Sequence, residues 1–116
     1  MSYEFLDYLE DILEEIARIE LLLVDLDYEQ FVADFRNHYA AVRALEIIGE
    51  ATKRLPPEVR EAYSQIPWRE MAGMRDRIIH GYDSVDLRIV WETVTKRIPE
   101  LKGMIAAILA ELDNQQ

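Results

Sequence analysis

The chain has 116 residues, half of them hydrophobic, and a formal net charge of −10. That length predicts a single domain spanning residues 1–116, long enough to bury a core without disulfides or a structural metal. The absence of cysteine excludes disulfide bonds, thiolate zinc sites and cysteine nucleophiles. The high hydrophobic content excludes general disorder.

The first half of the chain predicts two amphipathic helices. The first covers about residues 5–23, with Ser2 as its N-cap, and Asp25 and Asp27 mark the turn that follows it. The second runs from about Tyr28 to Leu55 and ends at two consecutive prolines, which cannot continue a helix. Apolar residues recur at helical spacing in both segments: Phe5, Leu9, Ile12, Ile16, Ile19 and Leu23, then Phe31, Phe35, Val42, Leu45, Ile48 and Leu55.

The second half predicts a short helix and two longer ones. The short helix covers about Pro57 to Tyr63, and a third substantial helix runs from Pro67 to about Ile79, with Gly81 as its C-terminal cap. The last helix starts near Val85, and Pro99 inside it predicts a kink. No segment shows strand-like alternation. We therefore expect an all-α fold, an antiparallel four-helix bundle with an additional short helix.

Acidic residues are concentrated in the first half. Residues 1–50 contain 13 acids and 3 bases, whereas residues 51–116 contain 10 of each. Such an acidic run indicates either a solvated face or a surface that docks a basic partner and repels others. The net charge argues against nucleic acid binding, because phosphate contacts need local Lys and Arg, but the second half has no acidic excess.

The sequence predicts no membrane partner. Its apolar runs are far shorter than the roughly 20 residues of a spanning helix. Residues 1–5 lack the basic start and apolar stretch of a signal peptide. We expect a soluble, cytoplasmic protein, which the lack of cysteine also suits.

The most informative segment sets Arg75, His80 and Tyr82 within eight positions of a chain that has two histidines. A guanidinium binds phosphate, and an imidazole moves protons near neutral pH, so the pair suits phosphodiester chemistry. On an ideal helix Arg75 lies at the edge of the apolar stripe, where it needs a carboxylate, a phosphate or an exposed groove. Asp76, one turn before His80, is placed to orient its ring.

Ordinary structural roles explain the same residues. A histidine just before a capping glycine can simply favour the helix dipole. Arg75 and Arg77 can form surface salt bridges with neighbouring acids, and Tyr82 can be a packing aromatic. Arg75 and His80 also do not share one face of an ideal helix, so their convergence needs the reach of Arg75, unwinding at Gly81 or a subunit interface.

The motif resembles the signature of the HepT-like branch of the HEPN superfamily. That signature is an Arg, four residues, a His, one residue and a Tyr, which Arg75, His80 and Tyr82 match. Asp76 stands where the family commonly has a small polar residue. The flanking blocks extend the resemblance over nearly the whole chain: residues 39–51, 66–73, 85–87 and 90–91.

The resemblance implies a HEPN-like helical domain that acts as the ribonuclease toxin of a toxin–antitoxin pair. Family members of this kind cleave RNA without a metal, so we expect no cofactor and no metal. Arg75 and His80 are then the catalytic residues, with Asp76 and Arg77 in supporting roles. The implied partner is an MNT-type nucleotidyltransferase antitoxin, which neutralises the toxin by transferring AMP to Tyr82.

The residue types fit RNA cleavage independently, since RNA supplies its own nucleophile, the 2′-OH. The reaction needs a base for the 2′-OH proton, an acid for the leaving 5′-oxygen and positive charge on the phosphorane. His80 alone cannot readily do both proton transfers in one step. A homodimer that places two motifs across one groove would supply both. His38 is an alternative second imidazole, but its place within the second helix favours a structural or solvent-facing role.

Two other functions compete with the ribonuclease toxin. One is a non-catalytic helical module that binds nucleotides or partners and regulates, or presents substrate to, a nucleotidyltransferase; the acidic balance favours it. The other is a plain dimeric scaffold, which leaves the position of Arg75 unexplained.

Overall fold

The computed structural model of the protein describes residues 4–78 and 85–114. Every secondary-structure element in these two ranges is helical, which confirms the all-α class. None of the described helices is long and apolar enough to cross a membrane. The helices are α1 (Glu4–Leu23), α2 (Tyr28–Ala33), α3 (Phe35–Lys53), α4 (Pro57–Ala62), α5 (Trp68–Ala72), α6 (Met74–Ile78), α7 (Leu87–Glu92) and α8 (Ile98–Asn114), with a π-helical turn (Thr93–Arg97) between the last two.

Helix α3 is the centre of the bundle. It packs along α1 on one side and is covered on the other by α5, α6 and α7, while α8 packs against α1. The apolar stripe predicted for the first helix forms much of the core, since each of its four middle residues is at most 1% exposed. These residues are Leu9, Ile12, Ile16 and Ile19. Full burial of each such side chain contributes roughly 1.5–3 kcal/mol.

The prediction of one continuous helix from Tyr28 to Leu55 was wrong. The chain breaks at Asp34, which has an extended backbone (φ −119°, ψ 112°) and caps α3 by accepting a hydrogen bond from the Arg36 amide. Asp27 caps α2 through a capping box with Gln30. The apolar spacing continues across the break, so hydrophobic periodicity alone could not reveal it.

The prediction of a substantial third helix was also wrong. Two five-residue helices, α5 and α6, meet at Gly73, whose amide donates back to the carbonyls of Arg69 and Met71. Pro67 occupies the N-cap position and not the first helical position. The expected helix end at Ile79 and the cap at Gly81 lie outside the described residues, as does the expected N-cap, Ser2.

The disruption expected at Pro99 takes the form of the π-helical turn. Proline has no amide hydrogen, and its ring clashes with the carbonyl four residues earlier. The helix widens just before Pro99, and the Ile98 amide donates to the carbonyl of Thr93, five residues back. The Thr93 and Thr95 hydroxyls donate to carbonyls one turn earlier, each at 2.7 Å. Val94 within the turn and Ile98 just after it are both 1% exposed, so the apolar stripe stays buried through the turn.

A close helix crossing fixes the position of the α5–α6 segment on α3. A Cβ added at Gly49 would lie 3.3 Å from the Met71 carbonyl oxygen, a backbone atom. At Gly103, on α8, an added Cβ would meet nothing within 4 Å. Glycine at position 49 therefore permits the approach of the two backbones, whereas at position 103 it only weakens the helix.

These two glycines give a matched pair of stability predictions. We expect Gly103→Ala to raise the free energy of unfolding by about 0.5–1 kcal/mol, the ordinary gain of helix propensity. Gly49→Ala should lower it, because α5 has to move away from α3. Urea denaturation of the two variants measures both effects, and equal gains would show that the crossing is not tight.

The Asp34 cap gives a prediction about pH. Hydrogen bonds from the Arg36 side chain and backbone lower the pKa of Asp34 to about 2. A carboxyl whose pKa is depressed by folding stabilises the fold above its unfolded pKa of about 3.9, and the contribution disappears as the pH falls towards 2. The difference in urea midpoint between wild type and Asp34→Asn should therefore shrink between pH 4 and pH 2. A pH-independent difference would contradict the cap's role.

Candidate active site around Arg75

Helix α6 positions the motif arginine at the protein surface. Met74 and Ile78 face the core, with 7% and 1% of their surface exposed. Arg75 lies beside this stripe, and 56% of its side chain is exposed. Arg75 therefore lies at the edge of the core, as the sequence predicts, with its guanidinium accessible to solvent. Long cationic side chains commonly lay their aliphatic part along apolar surface in this way.

The two chain ends that flank the rest of the motif are held together. The Asp86 amide donates a hydrogen bond of 3.0 Å to the carbonyl of Ile78. Asp86 then caps α7 through its carboxylate, which accepts from the Ile89 amide at 3.1 Å. His80 and Tyr82 fall in residues 79–84, outside the described part of the chain, so the predicted approach of Arg75 and His80 stays a prediction.

Arg75 has a carboxylate partner on the central helix. Its Nε atom lies 3.8 Å from Oε2 of Glu46, which is 29% exposed. The sequence suggested neighbouring acids as partners instead, because Glu46 is remote along the chain. In the sequence, Glu46 was noted only as part of residues 39–51, one of the blocks that resemble the family.

A second guanidinium shares the same carboxylate oxygen. Nη1 of Arg43 lies 3.9 Å from Oε2 of Glu46, and 70% of the Arg43 side chain is exposed. One carboxylate thus lies between two accessible cations. A phosphate that approaches from solvent would meet both of them.

The supporting residues predicted on α6 lie at the surface. Asp76 and Arg77 are both exposed, and neither forms an ion pair with another described residue. Arg77 lines a groove of about 290 Å³ together with Lys96 and Arg97 of the π-helical turn. Glu92 and Glu100 line the same groove, so two negative charges offset most of the positive charge of its three cations.

An exposed aromatic patch lies at the end of α2 and the start of α3. It consists of Val32, Phe35 and Tyr39, which are 37%, 61% and 70% exposed. The Phe35 and Tyr39 rings meet edge to face, 5.4 Å apart. Phe35, Tyr39 and Glu46 lie on one face of α3, since spacings of four and seven residues return to the same side of a helix. The patch therefore begins about 10 Å along the helix from Glu46.

His38, the alternative second imidazole, is half-buried beside this patch. Its ring contacts Phe31 and Tyr39, with centroids 6.1 Å from each. Phe31 is fully buried and packs on Trp91. These contacts give His38 a packing role, and it lies about 12 Å along α3 from Glu46.

The two tryptophans differ in their surroundings. Trp68 is 6% exposed and donates from Nε1 to the Tyr63 carbonyl at 3.0 Å, which makes it a core residue. Trp91 is only partly buried and packs against Tyr28 and Phe31. Both rings therefore have packing contacts within the bundle.

Comparison with known proteins places these residues in a family context. The family described as ribonuclease HepT-like matches residues 12–108, which include the whole motif. "Probable ribonuclease HepT" of Thermococcus cleftensis is 50% identical over 97 residues, covering 84% of this chain and 88% of its own. "Putative RNase TTE0752" of Caldanaerobacter subterraneus subsp. tengcongensis is 50% identical over 102 residues, covering 88% and 91%.

A more distant relative covers almost the whole chain. "Putative RNase MJ0125" of Methanocaldococcus jannaschii is 42% identical over 113 residues, covering 97% of this chain and 91% of its own. No solved structure matches the chain significantly.

Proposed function

The chain belongs to the HepT-like ribonuclease family, and on that premise we propose that it is a metal-independent endoribonuclease. The observation that carries the proposal is the family match over residues 12–108, which contains Arg75, His80 and Tyr82 at the signature spacing. The accessible guanidinium of Arg75 supports it, because a phosphate ligand needs an arginine that is open to solvent.

The proposed reaction uses the RNA as its own nucleophile. The 2′-oxygen attacks the adjacent phosphorus, the bond from phosphorus to the 5′-oxygen breaks, and the products are a 2′,3′-cyclic phosphate and a free 5′-hydroxyl. A base removes the 2′-OH proton, and an acid donates a proton to the leaving oxygen. His80 performs one of these transfers. Arg75 stabilises the negative charge that develops on the phosphorane.

Asp76 and Arg77 have supporting roles in this proposal. Asp76, one helical turn before His80, accepts a hydrogen bond from the imidazole and fixes its orientation. Arg77 adds a cation near the incoming strand. Both residues are exposed at the surface of α6, which is compatible with these roles.

The working unit in this proposal is a homodimer. The reaction needs two proton-transfer groups, and a twofold axis beside the motif supplies a second His80. The aromatic patch supports this arrangement, because it exposes Phe35 and Tyr39 on the face of α3 that carries Glu46. Large exposed apolar side chains that cluster beside polar groups commonly mark protein interfaces.

Regulation by a nucleotidyltransferase completes the proposal. The protein is the toxin of a toxin–antitoxin pair, and an MNT-type partner transfers AMP to Tyr82. The added nucleotide places bulk and negative charge within two residues of His80, where it would repel an RNA phosphate. The family resemblance supports this step, and the accessible Arg75 nearby gives it a physical mechanism.

Cleavage of single-stranded RNA in EDTA tests the proposed activity. We expect the wild type to produce 2′,3′-cyclic ends, and Arg75→Ala and His80→Ala to lower the rate at least about 100-fold. Arg69→Ala, which removes an exposed arginine from the neighbouring helix α5, should leave the rate unchanged. Intact-mass measurement must first establish that Tyr82 carries no nucleotide, since modified protein would be inactive for another reason.

The outcomes separate the competing functions. Equal RNA stability with the unmodified wild type and all three variants would reject the ribonuclease. Stable RNA together with tight binding of a nucleotidyltransferase would favour the non-catalytic module that regulates such an enzyme.

Substitutions in the aromatic patch test the dimer. Phe35→Glu and Tyr39→Glu should each convert a dimer into a monomer and lower the cleavage rate, because buried carboxylates without partners destabilise an interface. Leu21→Glu is the matched control, since Leu21 is 76% exposed and lies on α1, outside the aromatic patch. Sedimentation measures the assembly state. A monomeric wild type with full activity would contradict the composite site.

A further inference from the structure

Two guanidiniums are arranged around one carboxylate beside the motif. Oε2 of Glu46 lies 3.8 Å from Nε of Arg75 and 3.9 Å from Nη1 of Arg43. The side chains of Arg75 and Arg43 are 56% and 70% exposed, whereas that of Glu46 is 29% exposed. The Glu46 carboxylate is therefore the most buried of the three groups, and the two guanidiniums face solvent.

Neither contact has the length of a hydrogen bond, which is about 2.7–3.2 Å between nitrogen and oxygen. Elsewhere in the described residues, Arg36 binds Asp34 at 2.7 Å and Arg18 binds Glu14 at 2.8 Å. Those two arginines donate hydrogen bonds to their carboxylate partners. Arg43 and Arg75 donate no side-chain hydrogen bond to any residue of the described ranges, and such loose exposed pairs contribute little to stability.

The spacing of the two cations suits one extended RNA strand. Their nitrogens lie at most about 8 Å apart, because each is within 3.9 Å of the same oxygen. Neighbouring phosphates on a single strand have a comparable separation. Proteins that hold single strands follow the backbone with cations at such intervals.

We propose that Arg43 is a second RNA-phosphate-binding residue, which binds a phosphate adjacent to the one held by Arg75. Glu46 is the positioning residue that keeps the two guanidiniums at this spacing. The proposal rests on the ribonuclease function proposed above and extends its site from α6 onto α3.

Glu46 has two opposite effects in this arrangement. Its negative charge competes with the RNA phosphates for Arg43 and Arg75, and so weakens binding. It also restricts the orientations of Arg75, and so favours the geometry in which the guanidinium meets the scissile phosphate. Removing the charge should therefore tighten binding and slow cleavage, a combination that misfolding cannot produce.

Binding of a single-stranded RNA that carries 2′-O-methyl groups, and so cannot be cut, tests the role of Arg43. We expect Arg43→Gln to weaken binding about three- to tenfold and to reduce the slope of log affinity against log salt by about 0.7, the value for one lost phosphate contact on a single strand. Lys53→Gln is the matched control. It removes one positive charge from α3, and Lys53 pairs with Glu50 at 3.8 Å.

The same RNA tests Glu46. Glu46→Gln should bind it about two- to fivefold more tightly than wild type, and the variant should cut ordinary RNA at least about tenfold more slowly. Glu50→Gln, which removes a carboxylate with an equally long ion pair from the same helix, should change neither quantity.

The outcomes distinguish this proposal from the ribonuclease function. Equal affinity and salt slope for Arg43→Gln and Lys53→Gln would reject the second phosphate site, even if wild type cuts RNA. Weaker binding by Glu46→Gln would reject the positioning role. If wild type cuts no RNA, the ribonuclease function fails, while the binding measurements still decide whether Arg43 contacts phosphate.

Discussion

The ion pair between Glu46 and Arg75 connects the motif helix to the centre of the bundle. Like the pair between Lys102 and Glu20, which links α8 to α1, it joins two different helices. Helix α6 has five residues, too few to be stable alone, so the position of Arg75 depends on its neighbours. Burial of Met74 and Ile78 fixes the helix, and the Glu46 carboxylate lies 3.8 Å from the guanidinium.

Packing on α3 makes this arrangement possible. Gly49 lies three residues after Glu46, and its missing side chain lets the backbone of α5 approach. Helix α6 follows α5 directly, so the crossing sets the distance between Arg75 and α3. Helix α3 also carries Arg43, Glu46 and the two aromatic residues of the patch, Phe35 and Tyr39, on its exposed side. Helix α3 thus contributes core residues on one face and two residues of the candidate site, Arg43 and Glu46, on the other.

The sequence predicted the all-α fold class and singled out Arg75 as a site residue. It did not predict where the helices break or which carboxylate pairs with Arg75. Hydrophobic periodicity identified the buried stripe of α1, because amphipathic spacing depends on one helix alone. It missed the break at Asp34, where a side-chain cap competes with a helix whose apolar spacing continues. It joined α5 and α6, since the propensity of Gly73 is only a weak signal. Glu46 was missed as the partner of Arg75, because tertiary proximity between distant segments leaves no local pattern.

A double-mutant cycle tests the coupling between Glu46 and Arg75 most directly. Single-turnover cleavage of RNA would be measured for wild type, Glu46→Gln, Arg75→Gln and the double variant. If Glu46 acts on cleavage by positioning Arg75, its substitution should slow the wild type at least about tenfold but leave the Arg75→Gln variant almost unchanged. An equal slowing in both backgrounds would show that Glu46 acts independently of Arg75 and would contradict the coupling.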